Sequence, residues 1–157
     1  MNTVILDLDN TLVFVTDKPI KNYLADHSFP FTGPEGKMIL HIYKRPFLDF
    51  FIETISKRYK LIIWSNSYCM YLHKVVDILF KDIHFVQVIS RETFNTLPEK
   101  HVPNLKKLAP ININNVLFLD DSPDYITGIK KEQVIPAIPF WGNPADTFLL
   151  DILNKFV

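Results

Sequence analysis

Thr3-Val4-Ile5-Leu6-Asp7-Leu8-Asp9-Asn10-Thr11 is the stretch on which the fold turns. Its apolar part, Thr3 to Leu8, is continuous rather than alternating, which suits a strand buried on both faces. The run ends in carboxylates with no polar spacer. An ionised carboxylate directly after a buried strand is costly unless a counter-charge compensates it, and a divalent cation would do so. Residues two apart in extended chain point the same way, so Asp7 and Asp9 can converge on one ligand at the strand's end. Asp7 could then attack phosphorus while Asp9 acts as general acid and base. Thr11, two residues further on, can fix the turn or donate a hydrogen bond. An Asp-rich turn that only closes a strand has the same composition, so the pair needs support from elsewhere in the chain.

Working outward, Lys60 to Trp64, Phe85 to Ile89, Asn115 to Leu119 and Val134 to Ala137 are further short runs rich in Ile, Val and Leu. Between them lie helical stripes: Phe47, Phe51, Ile55 and Tyr59, then Tyr68, Tyr71, Leu72, Val75, Val76 and Leu79. A third helix is expected over Pro103 to Leu108, and a last one from Phe148 to Phe156. Strands alternating with helices give an α/β fold, a mostly parallel sheet with helices on both faces. Residues 14–43 break the rhythm. Pro19, Pro30, Gly33, Pro34 and Gly36 stand among Phe14, Tyr23, Phe29 and Phe31, as expected for a flap or hairpin inserted after the first strand. Ligands of open α/β sheets bind beyond the carboxyl ends of the strands, so this excursion can touch substrate.

The 157 residues, 48% of them hydrophobic, suit a single domain over residues 1–157, with no repeat or linker to divide it. Seventeen basic side chains balance seventeen acidic ones, so neither a nucleic-acid footprint nor a polybasic membrane face is expected. Asp7 and Asp9 interrupt the N-terminal apolar run before a signal-peptide core or membrane span is complete. The lone Cys69 has no partner for an internal disulfide, which favours a reducing intracellular setting, cytoplasmic or nuclear. Five histidines without metal-ligand spacing, four glycines without a nucleotide loop, and no Gly-x-Ser-x-Gly elbow argue against zinc hydrolases, common kinases and serine hydrolases.

Two further strand ends carry chemistry. Leu61-Ile62-Ile63-Trp64 leads into Ser65-Asn66-Ser67 and an amphipathic helix, where hydroxyl and amide donors can cradle phosphate. Capping by Ser67 is the structural alternative, and Ser65 is the donor to separate from it. Val116-Leu117-Phe118-Leu119 ends in Asp120-Asp121-Ser122-Pro123. Adjacent strand residues face opposite ways, so one acid would ligate a metal while its neighbour positions a lysine or supports the site. Lys100, in Glu99-Lys100-His101, could supply the fixed positive charge, although most lysines are solvated surface charges.

The order Asp7-Leu8-Asp9-Asn10-Thr11, Ser65, Lys100, Asp120-Asp121 resembles the four motifs of the haloacid dehalogenase (HAD) superfamily. Lys44-Arg45-Pro46-Phe47-Leu48-Asp49, Ile63-Trp64-Ser65-Asn66-Ser67, Ser90-Arg91-Glu92 and Phe118 to Pro123 are similar to its branch of RNA polymerase II C-terminal-domain small phosphatases, the NLI-interacting-factor-like domain. The resemblance implies a Rossmann-like, HAD-like fold and a Mg²⁺-dependent hydrolase. Asp7 would form an aspartyl-phosphate. Asp9 would give its backbone carbonyl to Mg²⁺ and its side chain to proton transfer, and Asp121 would complete the metal ligands. Ser65 stands where the family usually has threonine, Thr11 and Asp120 would support the site, and Asn10, Asn66 and Arg91 would bind phosphate or phosphopeptide. Aligned without gaps from Arg91, the family's lysine falls on Pro103, which cannot do the job; Lys100 could replace it if the loop is redrawn, and Lys106 is a poorer alternative. The region from Phe80 to His101 is too short for a large cap, and an open site suits phosphoproteins. The expected substrate is a protein phosphoserine or phosphothreonine in an extended segment. Phosphotyrosine or a small phosphate ester is the alternative with the same residues, and a catalytically weak binding or scaffold module is the alternative of another class.

Overall fold

The computed structural model describes residues 2–157. In chain order its strands and α-helices are β1 (Thr3–Leu6), β2 (Val13–Thr16), β3 (His27–Gly33), β4 (Gly36–Lys44), α1 (Leu48–Ser56), β5 (Lys60–Trp64), α2 (Cys69–Leu79), β6 (Phe85–Ile89), β7 (Lys100–His101), β8 (Val116–Asp120), β9 (Ile126–Thr127), β10 (Val134–Pro136) and α3 (Phe148–Ile152). The main sheet has five strands in the order β10-β8-β1-β5-β6, every pair parallel. It is the mostly parallel sheet of a Rossmann-like HAD fold.

The period-two geometry of a strand sorts the apolar runs onto two faces. Val4 and Leu6 of β1, with Leu61, Ile63 and Leu119, pack under Phe51 and Ile55 of α1, Leu72 and Val75 of α2 and Leu149 of α3. Ile5, Ile62, Trp64 and Phe118 point the other way, where Val102 and Leu105 cover them. The helix expected over Pro103 to Leu108 is a 3-10 segment, Val102–Lys107. It is followed by Leu108, Ala109 and Pro110, and short segments of this kind are where 3-10 geometry is used. At the other end of the first helical stripe, Phe47 lies outside α1 with φ 68° and its ring 45% exposed, so the packed stripe begins at Leu48.

The insertion is a three-stranded antiparallel sheet in the order β2-β4-β3. Gly36, at φ 113°, closes the hairpin between β3 and β4, a conformation that L side chains rarely adopt. Phe29, Leu40 and Ile42 of this small sheet are buried in the same core as α1 and α2. The hairpin is thereby anchored beside the carboxyl edge of the main sheet. Between Leu79 and Lys100 the chain holds only β6 and turns. Among the described residues no helix is long and apolar enough to cross a membrane.

Candidate active site

In the main sheet, β1 has β5 on one side and β8 on the other, so successive crossovers leave its two edges in opposite directions. The carboxyl ends of neighbouring strands splay at such a point and leave a crevice. The sequence places Asp7 after β1, Ser65 after β5 and Asp120 at the end of β8. The resulting cleft holds about 350 Å³ and is walled by Asp7, Asp9, Ser65, Lys100, Asp121 and Tyr125, among others.

The turn after β1 is tightly wound. The amides of Thr11, Leu12 and Val13 all donate to the Leu8 carbonyl, at 3.3, 2.9 and 3.3 Å. Asn10 takes φ 63°, a left-handed conformation that asparagine tolerates better than most residues. The Thr11 hydroxyl donates to Asp7 Oδ2 at 2.8 Å and accepts from the Asp121 amide at 3.0 Å, tying two strand ends together. Arg45, 1% exposed, pins this turn from behind. Its Nη1 donates to the Thr11 carbonyl at 3.0 Å, and its Nε and Nη2 donate to Asp146 at 2.8 and 3.0 Å. The Phe148 ring lies 4.4 Å from its guanidinium carbon.

Lys100 enters from β7, which pairs with β9, and is 3% exposed. Its ammonium donates to Asp120 Oδ2 at 2.7 Å, to the Trp64 carbonyl at 3.0 Å and to Asp7 Oδ1 at 3.2 Å, which uses all three protons. Burial pushes the ammonium pKa down, but the charges of Asp7 and Asp120 outweigh it and hold the pKa above its ordinary value. Burial pushes Asp7 and Asp120 up, and Lys100 opposes the shift for both without cancelling it. Pro103 lies in the 3-10 segment and Lys106 is exposed, so of the three alternatives for the fixed charge only Lys100 reaches the aspartates.

Four carboxylates, Asp7, Asp9, Asp120 and Asp121, line the cleft against this one ammonium. Oxygens of Asp7, Asp120 and Asp121 all lie within 4.8 Å of one another. Asp120 is engaged by Lys100 and by the Ser122 amide at 2.8 Å, and Asp7 by Lys100 and Thr11, leaving Asp121 as the least committed of the three. An all-oxygen donor set with excess negative charge fits a hard divalent cation. Asp9 does not bring its carboxylate into this group. Its Oδ1 instead accepts from the Tyr71 hydroxyl at 2.5 Å, although Asp9 lines the same cleft as Asp7. Burial lifts Asp9 to about 6, against the opposing hydrogen bond from Tyr71.

Ser65 is 2% exposed, with its Oγ 2.6 Å from Ser67 Oγ and accepting from the Ser67 amide at 3.1 Å. Ser67 does not cap α2; the residue at that position is Tyr68, and the Glu92 carboxylate instead accepts from the Cys69 amide at 3.0 Å. Asn66 lines the cleft and donates to the Pro98 carbonyl at 3.0 Å. Asn10 also lines it, but its side-chain amide donates to the Phe140 carbonyl at 3.1 Å. Arg91 stands outside the cleft, its guanidinium carbon 4.2 Å from the Tyr68 ring centre. Tyr71, Tyr125 and the Arg45–Asp146 pair are additions that residue patterns alone had not singled out as parts of a site. Tyr71 sat unnoticed in an apolar helical stripe, and Asp146 is 101 residues from the arginine it meets.

A sequence model of the NLI interacting factor-like phosphatases matches residues 2–157. The chain belongs to that family. It is a member of the HAD-like superfamily, in the branch of C-terminal-domain small phosphatases. Among curated relatives, CTD small phosphatase-like protein 1 of Caenorhabditis elegans is 31% identical over 150 residues, 96% of this chain and 30% of that protein. Carboxy-terminal domain RNA polymerase II polypeptide A small phosphatase 1 of Homo sapiens is 29% identical over 154 residues, 98% of this chain and 57% of the human protein. Nuclear envelope morphology protein 1 of Schizosaccharomyces pombe is 26% identical over 97% of this chain and 32% of its own length. The chain thus spans between about a third and somewhat over half of these family members. In fold it matches the fission yeast RNA polymerase II CTD phosphatase Fcp1 bound to beryllium fluoride, with TM-score 0.74 at 24% identity over 88% of this chain and 42% of that one.

Proposed function

We propose that the chain is a Mg²⁺-dependent phosphatase that works through an aspartyl-phosphate on Asp7. The observation that carries this is the placement of the buried Lys100 ammonium between Asp7 and Asp120, beside the less committed carboxylate of Asp121. Asp7 and Asp121, with the Asp9 backbone carbonyl, would hold Mg²⁺, which supplies charge neutralisation for the phosphoryl oxygens.

In the first half-reaction an Asp7 oxygen attacks phosphorus, the bond from phosphorus to the leaving oxygen breaks, and Asp9 gives that oxygen a proton. In the second, Asp9 takes a proton from water, the water oxygen attacks phosphorus, and the Asp7 carboxylate is released with inorganic phosphate. The position of Asp9 near pKa 6 suits a group that must both give and take a proton around neutrality. Lys100 and the hydroxyls of Ser65 and Ser67 supply positive charge and hydrogen bonds where charge develops on the phosphoryl oxygens. Thr11 and Asp120 hold Asp7 and Lys100 in place.

The substrate proposed is a phosphoserine or phosphothreonine in an extended protein segment, met in an intracellular setting. Supporting this are the open cleft and a neighbouring apolar cavity of about 440 Å³ walled by Phe31, Pro34, Tyr68, Met70 and Tyr71. Asn10, Asn66 and, at the rim, Arg91 are proposed to bind the phosphate or the flanking peptide. The test is hydrolysis of an aryl phosphate by the intact chain and by Asp7→Asn, with and without Mg²⁺. Turnover should require the metal and fall at least about 1,000-fold in the variant. Activity that survives the substitution or chelation would refute the mechanism. Small esters turned over far more efficiently than phosphopeptides would move the substrate class to metabolites, and binding of phosphopeptides without turnover would favour a scaffold.

A further inference from the structure

Asp9 can deliver a proton only if one carboxylate oxygen faces the leaving group, and two rotatable bonds leave that orientation undetermined by the chain itself. Tyr71, in the first turn of α2, supplies the missing constraint. Its hydroxyl donates to Asp9 Oδ1 at 2.5 Å. Oδ2 has no protein partner, and no buried side-chain oxygen is left unbonded among the described residues, so Oδ2 opens to the cleft that Asp9 lines. The Tyr71 ring is itself held. Phe31 of β3 meets it edge-on, with centroids 6.1 Å apart and planes at 79°. The Tyr71 ring lines the apolar cavity between the hairpin and the start of α2, while its hydroxyl reaches Asp9, which lines the cleft.

We propose that Tyr71 is a positioning residue for proton transfer: by occupying Asp9 Oδ1 it presents Oδ2 to the leaving oxygen, and the inserted hairpin buttresses it through Phe31. Tyr71 has this role only if Asp9 moves protons in the phosphatase reaction proposed above. The tyrosine keeps its own proton throughout. Burial, and then the adjacent Asp9 charge, push its phenol well above the usual range, so it stays a donor. During the first half-reaction the proton passes from Asp9 Oδ2 to the leaving oxygen as the phosphorus–oxygen bond breaks, and Tyr71 continues to donate to Oδ1.

The test uses Tyr71→Phe, which keeps the ring and removes only the hydroxyl. It is assayed on aryl phosphates of rising leaving-group basicity, from 4-nitrophenyl to unsubstituted phenyl phosphate. The quantity read is kcat/KM, because it covers events up to departure of the leaving group and excludes hydrolysis of phospho-Asp7. A basic leaving group needs the proton most. The loss should grow from about 2-fold for 4-nitrophenyl phosphate to on the order of 100-fold for phenyl phosphate, with the thermal midpoint and Mg²⁺ requirement little changed. In the Asp9→Asn background Tyr71→Phe should add nothing on either substrate. A loss equal for all leaving groups, or no loss, overturns the proposal. So does a crystal structure of Tyr71→Phe in which Asp9 keeps its rotamer, a result independent of turnover. An intact chain with no Mg²⁺-dependent turnover at all would count against the phosphatase function itself, and the crystal structure would still decide whether Tyr71 orients Asp9.

Discussion

Lys100 shows how much one residue's position is worth. It is buried, with Asp7 and Asp120 at hydrogen-bond distance, so removing its charge leaves two carboxylates in low dielectric without a counter-ion. Lys100→Met should lower kcat on an aryl phosphate by about 100- to 1,000-fold and lower the unfolding free energy in chelator by ~3 kcal/mol, read by steady-state kinetics and urea denaturation. A Lys100→Met variant with near-normal kcat would place the fixed charge elsewhere. The aspartates were legible because strands that end in acids are visible in the order of residues. Lys100 could be named as the candidate charge, but the spacing from Arg91 pointed instead to Pro103, and sequence alone left the choice open. The path of the loop through the Leu97–Pro98 turn into β7 decides it. Asp9 shares the cleft with Asp7, but the partner of its carboxylate, Tyr71, lies 62 residues away and could not be read from the two-residue repeat of a strand.

Elements position the site through their ends. The turn after β1 carries Asp7, Asp9 and Thr11, and its carbonyl at Thr11 is held by Arg45, the first residue after β4. Arg45 in turn is neutralised by Asp146, just before α3. Asp146→Ala leaves a buried guanidinium uncompensated, and breaking such a pair costs about 3–5 kcal/mol. The thermal midpoint should fall by roughly 10 °C or more, and activity should fall with it as the turn at Thr11 loosens. An unchanged midpoint would mean that solvent reaches the arginine. Strand positions were readable from continuous apolar runs because strands buried on both faces leave no other pattern. Helix bounds were less so. Phe47 fits the four-residue stripe yet lies outside α1, and Val102–Lys107 is wound as 3-10, a difference that the apolar spacing does not register.

At the scale of the whole molecule, the fold concentrates like charge at one edge of the sheet, and this has a pH signature. Asp9 stands at about 6 in the folded chain against 3.8 for a free side chain. The folded state therefore holds this proton more tightly than the unfolded state, and stability conferred below about pH 4 is lost as pH rises through 6. Asp7 and Asp120 shift in the same direction. Thermal midpoints in chelator should accordingly decline between about pH 4 and pH 6, and Mg²⁺ should restore them increasingly as pH rises, because the ion binds the ionised carboxylates. A midpoint in chelator that rises over this interval would show that the carboxylates are compensated without metal. Read as a chain, the sequence determined that Asp7, Ser65 and Asp120 stand at the ends of buried strands, because apolar runs and the residues that close them are local. It also determined the family, through the order of those ends. Only tertiary structure decided that Lys100 faces Asp7, that Arg45 meets Asp146 and that Tyr71 holds Asp9. Each of those contacts joins residues brought together by crossovers and loops, and the path of a loop is set by what it packs against, not by its own periodicity.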